Sequence, residues 1–317
     1  MQILGGLSTM NRNFLTRLIS LFISLFFVVT FTFFLMKLIP GDPFLKDQNI
    51  PQEVLDFLYK QSDFEKPLFS QYLIYLKKIM FLDFGKSLIF EDRSVIGIIK
   101  EGFPVSFFLG LKSLILSLSL GILGGTFSAL KRKKWQDLTL MIIFSLGISI
   151  PSFLLGTFLQ YFFSMQLPFF PVAKWGTISH SILPMLSLSL LPSAYIARLT
   201  RDSMIEVLEH DYVKLAKVKG ISNFKFITSH LLKNSLFPLM GYIAPLTTNL
   251  IMGSFVVERI FGIPGLGDWL VTSILSRDYP VIMGLCIFYS FFLMVTIYLA
   301  DVLYSCINPR IQIEKNI

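Results

Sequence analysis

Long apolar runs alternate with short polar segments along most of this chain. Most of these runs have the roughly 20 residues that an α-helix needs to cross about 30 Å of hydrocarbon. The third run contains Pro151, which predicts a kink, and the shorter fourth run contains Pro184 and Pro192. The pattern predicts an all-α integral membrane protein with six transmembrane helices, at about residues 15–39, 105–130, 138–163, 181–196, 236–257 and 281–304.

Small residues recur every four positions in the second apolar run. They would share one face of the helix, where small side chains let a neighbouring helix approach closely. This stripe consists of Ser113, Ser117, Gly121 and Gly125. Lys112 lies beside it, and two interpretations stay open: its side chain either reaches the membrane surface or lines a translocation path.

Composition and charge agree with membrane insertion. Of the 317 residues, 54% are hydrophobic and 15% are charged, whereas a soluble domain carries about 25% charged residues. The net charge of +8 comes largely from bases that flank the apolar runs, and no groove-sized basic patch with interleaved aromatic residues indicates nucleic acid binding. Four consecutive bases at residues 131–134 are typical of a cytoplasmic loop, and such a cluster could also bind anionic lipids. With six spans, both termini are predicted to be cytoplasmic.

Residues 40–103 are far more polar than the rest of the chain. They begin with the helix-breaking sequence Pro-Gly-Asp-Pro at residues 40–43, and only residues 72–80 show helical amphipathicity. Several apolar side chains in this segment could still form a small core. The segment therefore predicts a small extracytoplasmic domain between helices 1 and 2.

The polar stretch at residues 211–238 carries five lysines and has one break, at Gly220. Glycine suits the left-handed position that ends a helix, and apolar residues recur at helical spacing before it. After it, Phe224, Ile227 and Leu231 form an apolar stripe on a second helix. Two short amphipathic helices on the basic side of a membrane protein favour either a docking element for a soluble partner or a helix pair on the lipid surface. The residue pattern leaves both interpretations open.

The sequence contains no arrangement typical of catalysis or of a nucleotide site. The glycine-rich segment GIPGLG at residues 262–267 lacks the Lys-Ser/Thr of a phosphate-binding loop. The apolar run after it is too short to cross a membrane, so it predicts a re-entrant or outer-face half-helix. No metal-like spacing relates His180, His210 and His230. We therefore expect a transport protein that is not an enzyme, with no metal or cofactor of its own, and with energy supplied by another chain.

Three segments resemble ABC-importer permeases, in particular the dipeptide/oligopeptide branch. DYVKLAKVKG, followed by HLLKNSLFP, is similar to their cytoplasmic coupling loop, whose Ala-x-x-x-Gly signature is matched by Ala216 and Gly220. EKPLFSQYLIYLKK, followed by LDFGKSL, is similar to the segment between their first two helices. The most specific match is the outer-loop signature E-x-x-F-x-x-P-G-L-G with R-D-Y-P after it, which falls on Glu258, Phe261, Pro264, Gly265, Gly267, Arg277, Asp278 and Pro280.

The resemblance implies the fold of a type I ABC-importer permease in a bacterial inner membrane. Such a subunit pairs with a second homologous permease, two cytoplasmic ABC ATPase subunits that bind the ATP, and an extracytoplasmic substrate-binding protein. The resemblance also implies a coupling helix seated on an ATPase, with Tyr212, Leu215 and Ala216 packing and Gly220 setting the angle of the next helix. The implied coupling residues are Asp211, Tyr212, Leu215, Ala216, Lys219 and Gly220. No substrate-binding residue is identified.

The domain assignment combines the apolar pattern with this resemblance. It gives an N-terminal tail with the first helix (1–39), the extracytoplasmic domain (40–103), a transmembrane core (104–304) with a coupling loop (198–235), and a tail (305–317). The implied function is ATP-driven import of di- or oligopeptides. The alternatives are an ABC permease for nickel or a sugar and, from a different class, an ion-coupled secondary transporter that works without an ATPase.

Overall fold

The computed structural model describes residues 2–38, 66–90, 92–219 and 221–307. Regular structure within these ranges is helical, apart from one isolated bridge between Lys86 and Ser94. Two π-helical segments also occur: Tyr161–Gln166 extends α5, and Phe226–Leu232 joins α8 to α9. The α-helices are α1 (Gln2–Leu38), α2 (Leu68–Met80), α3 (Val95–Leu130), α4 (Trp135–Ser149), α5 (Ser152–Gln160), α6 (Ile178–Glu209), α7 (Asp211–Val218), α8 (Asn223–Lys225), α9 (Lys233–Ser235), α10 (Phe237–Ile251), α11 (Phe255–Phe261), α12 (Leu266–Ser276) and α13 (Tyr279–Ile307).

Six membrane spans can be counted in the described part of the chain. Four helices are long and apolar enough by themselves: α1 over Ile19–Leu38, α3, α6, and α13 over Tyr279–Leu299. Two bent pairs meet the same test when each is taken as one span. The pair α4 and α5 bends by 97°, and the pair α10 and α11 bends by 41°. The predicted all-helical membrane architecture is therefore confirmed, and the count of six spans holds when each bent pair is taken as one span.

The predicted kink at Pro151 is sharper than a bend within one helix. Ile150 is extended, with φ −100° and ψ 116°, and α5 starts again immediately after Pro151. A residue before proline is driven out of the helical conformation by contact with the proline ring, and proline has no N–H to donate. The third span is therefore two helices that meet at a steep angle.

Several helix ends differ from those predicted from the apolar runs. Helix α3 begins at Val95, about ten residues before the predicted second span, and α6 continues past the predicted fourth span to Glu209. Helix α10 ends at Ile251 instead of running to about residue 257, because Gly253 adopts a left-handed φ of +88°. An apolar run indicates the part of a helix that contacts lipid, whereas the helix itself can continue through polar residues that find partners or water.

Residues 40–65 of the predicted extracytoplasmic domain lie outside the described residues, so that domain stays a prediction.

The contacts between Cα atoms divide the chain into two compact units. The first holds the described residues up to Gly102 and Trp269–Tyr298, and the second holds Phe103–Asp268 and the residues from Leu299 onward. In the first unit, α1 packs on α2: the Thr30 and Tyr72 hydroxyls lie 2.7 Å apart, and the Phe33 and Tyr72 rings lie 5.5 Å apart. A Cβ on Gly284 of α13 would lie 2.4 Å from the Val95 side chain. Close helix packing therefore requires glycine at this position.

In the second unit, the stripe of small residues on α3 faces α6, as the sequence predicts. Ser113 and Ser117 are fully buried. A Cβ on Gly121 would lie 2.5 Å from Ile196 Cβ, and a Cβ on Gly125 would lie 2.4 Å from a backbone carbonyl oxygen of α6. Contacts this short exclude any side chain, so the two helix backbones approach as closely as small-residue interfaces in membranes allow.

Candidate functional site

The outer-loop signature is built around the side chain of Glu258, which is fully buried. Its Oε2 atom accepts hydrogen bonds from the backbone N–H groups of Gly267 (2.8 Å) and Asp268 (3.3 Å). These two groups lie in the first turn of α12, where backbone N–H groups have no partner inside the helix. A carboxylate at this end also interacts favourably with the helix dipole. Glu258 therefore fixes the start of α12.

Ser106 on α3 completes this arrangement. Its hydroxyl donates to Glu258 Oε1 at 2.8 Å and accepts from the backbone N–H of Leu266 at 2.9 Å. Sequence reasoning missed Ser106, because a serine 152 positions away from its partner carries no local signal. The hydroxyl links α3 to the signature turn, so the turn has a fixed position in the transmembrane core.

The signature glycines leave room for the Glu258 carboxylate. A Cβ on Gly265 would lie 2.3 Å from Oε2, a Cβ on Gly267 would lie 2.9 Å from the same atom, and a Cβ on Gly253 would lie 2.2 Å from Oε1. Gly262 ends α11 with a left-handed φ of +59°, which glycine adopts without strain. The buried carboxylate and the tight turn therefore explain the spacing of these glycines. A bound phosphate is not needed to explain it.

Phe261 and Pro264 have different surroundings in this turn. Phe261 is 2% exposed and belongs to the hydrophobic core of the second unit, and its carbonyl oxygen accepts from Lys174 N at 2.9 Å. Pro264 is exposed between the buried residues Ile263 and Gly265. The half-helix predicted after the turn is confirmed as α12, which has 11 residues and is too short to span a membrane.

The second part of the signature lies in the first unit. Asp278 is fully buried, and its carboxylate accepts hydrogen bonds from the Ser87 hydroxyl and from Leu88 N at 3.2 Å. Burial raises the pKa of this carboxyl, while the hydrogen bonds that it accepts act in the opposite direction. Arg277 is exposed in the left-handed conformation with φ +60°, and Pro280 is in the first turn of α13, where proline is favoured. Asp278 therefore ties the loop after α2 to the start of α13.

The predicted coupling stretch folds as helices that rest on α6. Helix α7, Asp211–Val218, buries Val213 and Ala216, and the following π-helix buries Phe226 and Leu231. These residues form one hydrophobic cluster with Met204 and Val207 of α6. The stretch is therefore attached to α6, which also contacts α4, α5 and α10 within the second unit.

The opposite face of this stretch exposes four large apolar side chains, which we call the apolar face. Their exposed fractions are 43% for Tyr212, 62% for Leu215, 85% for Val218 and 79% for Phe224. An apolar surface of this kind on a polar segment marks an interaction site. Asp211 and Lys219 are exposed beside it.

Three predictions about the coupling stretch have different outcomes in the structure. Ala216 was expected to pack against a partner, but it is 7% exposed and packs inside this chain. The predicted stripe of Phe224, Ile227 and Leu231 is split, because the π-helix has a longer repeat than the α-helix, and Leu231 faces inward while Phe224 faces outward. Gly220 lies outside the described residues.

Comparison with known proteins identifies the family. Residues 121–313 match the binding-protein-dependent transport system inner membrane component, and residues 10–109 match the N-terminal part of the membrane component of such systems. The first match alone covers more than half of the chain. The chain belongs to this permease family.

Relatives in the permease family match almost the whole length. The dipeptide transport system permease protein DppB of Bacillus subtilis is 42% identical over 306 residues, which are 96% of this chain and 99% of the relative. DppB of Lactococcus lactis is 40% identical over 304 residues, 96% of this chain and 100% of its own. The oligopeptide transport system permease protein OppB of Escherichia coli is 36% identical over 305 residues, 96% of this chain and 100% of its own.

A solved structure agrees with the permease fold. The inward-facing MetNI methionine ABC transporter matches with a TM-score of 0.54 at 13% sequence identity, over 67% of this chain and 97% of that one. As a member of the permease family, the chain is a multi-pass inner-membrane subunit of a transporter complex with ATPase and substrate-binding partners. It is not itself an enzyme, because ATP hydrolysis resides in partner subunits of such importers.

Lys112, left open by the sequence, has two contacts within the second unit of this permease. Its Nζ atom donates to the Ser181 hydroxyl at 3.0 Å and lies 5.4 Å from the centre of the Trp175 ring. Both a hydroxyl acceptor and an aromatic face stabilise a cation away from bulk water.

Among the described residues, no group of three or more His, Cys, Asp or Glu side chains is placed to hold a metal ion.

Proposed function

We propose that this chain is a permease subunit of an ATP-driven importer of di- or oligopeptides, forming half of the translocation pathway with a second homologous permease. The observation that carries the choice of substrate is near-full-length identity of 36–42% to relatives named as dipeptide and oligopeptide permeases. The other proposed partners are two cytoplasmic ABC ATPase subunits and an extracytoplasmic binding protein. We also propose that both termini of the chain lie in the cytoplasm, as the even number of spans and the basic loops indicate.

We infer that the apolar face of α7 and α8 seats in a groove of one ATPase subunit. Leu215 and Val218 lie on the same exposed side of α7, and Phe224 extends that surface. A short helix that presents a few apolar side chains to a groove is a recurring mode of protein recognition. The five lysines of the stretch agree with a cytoplasmic location.

The inward face of the same helices gives this contact a mechanical consequence. Val213 and Ala216 are packed with Met204 and Val207 of α6, so α7 cannot shift far without moving α6 or disrupting the cluster. Helix α6 in turn packs on the glycines of α3 with no spare room. Movement of the ATPase subunits would therefore reach the transmembrane helices as rigid-body motion, which alternates access to a central cavity.

Uptake measurements on the complete transporter test this function. The chain is expressed with its partner subunits in a strain that lacks other peptide permeases, and uptake of radiolabelled dipeptide is followed with and without the binding protein. We expect uptake to require both ATP and the binding protein. We also expect unlabelled di- and tripeptides to compete with the radiolabelled dipeptide. Preferential uptake of nickel or of a sugar would contradict the proposed substrate. Uptake by the chain alone, driven by an ion gradient, would contradict the proposed mechanism.

A further inference from the structure

A cavity of about 600 Å³ lies in the second unit, beside the four consecutive bases at residues 131–134. Its volume is in the range of small-molecule sites, about 300–1,000 Å³. It is formed by the turn before α4, the start of α4 and the last third of α6, outside the signature turn and the coupling helices. It is lined by Lys133, Lys134, Trp135, Asp137, Leu138, Met141, Arg198, Arg201 and Asp202.

The two carboxylates of this cavity are already used by one arginine. Arg201 donates from Nε to Asp137 Oδ1 at 2.7 Å, from Nη2 to Asp137 Oδ2 at 2.8 Å, and from Nη1 to Asp202 at 3.0 Å. Asp137 also accepts from the Ser128 hydroxyl and is 5% exposed. The Arg201–Asp137 pair holds α4 against α6, and in the described part of the chain neither Asp137 nor Asp202 forms an ion pair with another base of the cavity.

Three positive charges therefore face the cavity without an acidic partner among the described residues. Lys133 and Lys134 are exposed and form no ion pair there. Arg198 is exposed and has only a long hydrogen bond, 3.3 Å, from Nη2 to the Ser145 hydroxyl. Several Lys and Arg donors converging on one cavity form a suitable site for a phosphate group.

The rest of the lining is largely apolar and continues along an exposed side of α4. Trp135 is 73% exposed and Leu138 is 65% exposed at the rim of the cavity. Ile142 and Leu146 follow at four-residue intervals on the same face, with exposed fractions of 51% and 59%. Tryptophan beside lysines at the end of an apolar helix is typical of the membrane interface. A strip about 12 Å long, from position 138 to position 146, therefore leads from the basic cavity into the hydrocarbon.

We propose that this cavity binds the phosphate of an anionic phospholipid headgroup, with an acyl chain of the same lipid lying along α4. The basic side chains of Lys133, Lys134 and Arg198 contact the phosphate, and Leu138, Ile142 and Leu146 contact the chain. A soluble phosphate compound would use the three bases but not the apolar strip beside them. Basic pockets at the ends of transmembrane helices on the cytoplasmic side are suited to anionic lipids.

The run of four bases offers a matched pair of variants for the test. Lys133→Gln/Lys134→Gln removes two charges that line the cavity, and Lys131→Gln/Arg132→Gln removes two charges that do not. Both variants shorten the side chains and lower the net charge by two, and the second also removes the exposed ion pair between Arg132 and Glu209. The intact transporter is prepared in phosphatidylcholine nanodiscs containing dioleoyl phosphatidylglycerol, and the retained lipid is counted by native mass spectrometry. Binding of the partner subunits in the same spectra reports folding.

We expect the unmodified transporter to retain phosphatidylglycerol in preference to phosphatidylcholine. The Lys133/Lys134 variant should bind it roughly thirtyfold more weakly, since each direct hydrogen bond from a base to the phosphate contributes about a factor of five. The Lys131/Arg132 variant should change by less than about threefold. Equal losses in the two variants would show a diffuse surface potential and overturn the site. Equal retention of the two lipids, or displacement of the lipid by millimolar inorganic phosphate, would also overturn the proposal.

Discussion

Replacing Glu258 with alanine removes the acceptor of three hydrogen bonds inside the second unit. The buried amide of Gly267 and the partly buried amide of Asp268 lose a partner, and Ser106 loses its acceptor. A buried donor left without a partner costs about 1–3 kcal/mol. Two amides without an acceptor, together with the cavity left by the side chain, therefore predict a loss of about 4 kcal/mol in the free energy of unfolding.

Replacing Glu258 with glutamine separates the role of hydrogen bonding from that of size. Glutamine fills the same space, its carbonyl oxygen can accept from the two amides, and its NH₂ group can donate to the Ser106 oxygen. We expect Glu258→Gln to cost about 1 kcal/mol, the value of exchanging a charged acceptor for a neutral one. The control is Glu206→Ala on α6, an exposed glutamate that should change stability by less than about 0.5 kcal/mol.

The assay is reversible unfolding of the purified permease in mixed micelles, with peptide uptake by the complete transporter measured in parallel. A double-mutant cycle with Ser106→Ala should give an interaction energy of about 1–2 kcal/mol, since the two side chains share a hydrogen bond. Two results would refute this account of the signature turn. One is Glu258→Ala costing no more than Glu258→Gln, and the other is strict additivity with Ser106→Ala.

Three further substitutions test packing, charge pairing and backbone conformation. Gly125→Val should prevent accumulation of folded protein in the membrane, because its Cβ would lie 2.4 Å from a carbonyl oxygen of α6. The control is Gly241→Ala, whose Cβ would have no atom within 4 Å and which should accumulate normally in the same immunoblot. Arg201→Ala should lower stability by about 3 kcal/mol, because it leaves the buried Asp137 unpaired. The double variant Arg201→Ala/Asp137→Asn should recover part of that loss in thermal unfolding. No recovery would contradict a charge effect. Arg277→Gly should raise stability by up to about 1 kcal/mol, because φ +60° strains a side-chain-bearing residue, and a clear loss would show that the exposed side chain has a structural partner.

The sequence predicts the architecture because each span leaves a local signal. Apolar runs report contact with lipid, and the small-residue stripe on α3 identifies its contact face before α6 is known as its partner. Pro151 predicts the break in the third span, and the short apolar run after GIPGLG predicts the half-helix α12. Each inference depends on residues close together in the chain and on one physical preference.

Other features could not be predicted, because they depend on residues far apart in the chain. The carboxylates of Glu258 and Asp278 are signature residues, but their partners Ser106 and Ser87 are 152 and 191 positions away. The extension of α6 through Arg201 depends on the pairing of that residue with Asp137 on another helix. The inward orientation of Leu231 depends on the π-helix, which breaks the α-helical repeat used to assign the faces. The inward orientation of Ala216 depends on its packing with Met204 and Val207 of α6.

The central claim is that the apolar face of α7 and α8 contacts an ATPase subunit, and cross-linking tests it most directly. A photoreactive amino acid is placed at Val218, which is 85% exposed, and as a control at Ile178, which is 76% exposed at the opposite end of α6. Cross-linked products of the intact transporter are identified by mass spectrometry. The account predicts that position 218 cross-links to the ATPase and position 178 does not. No ATPase product from position 218 in an assembled, transporting complex would contradict it.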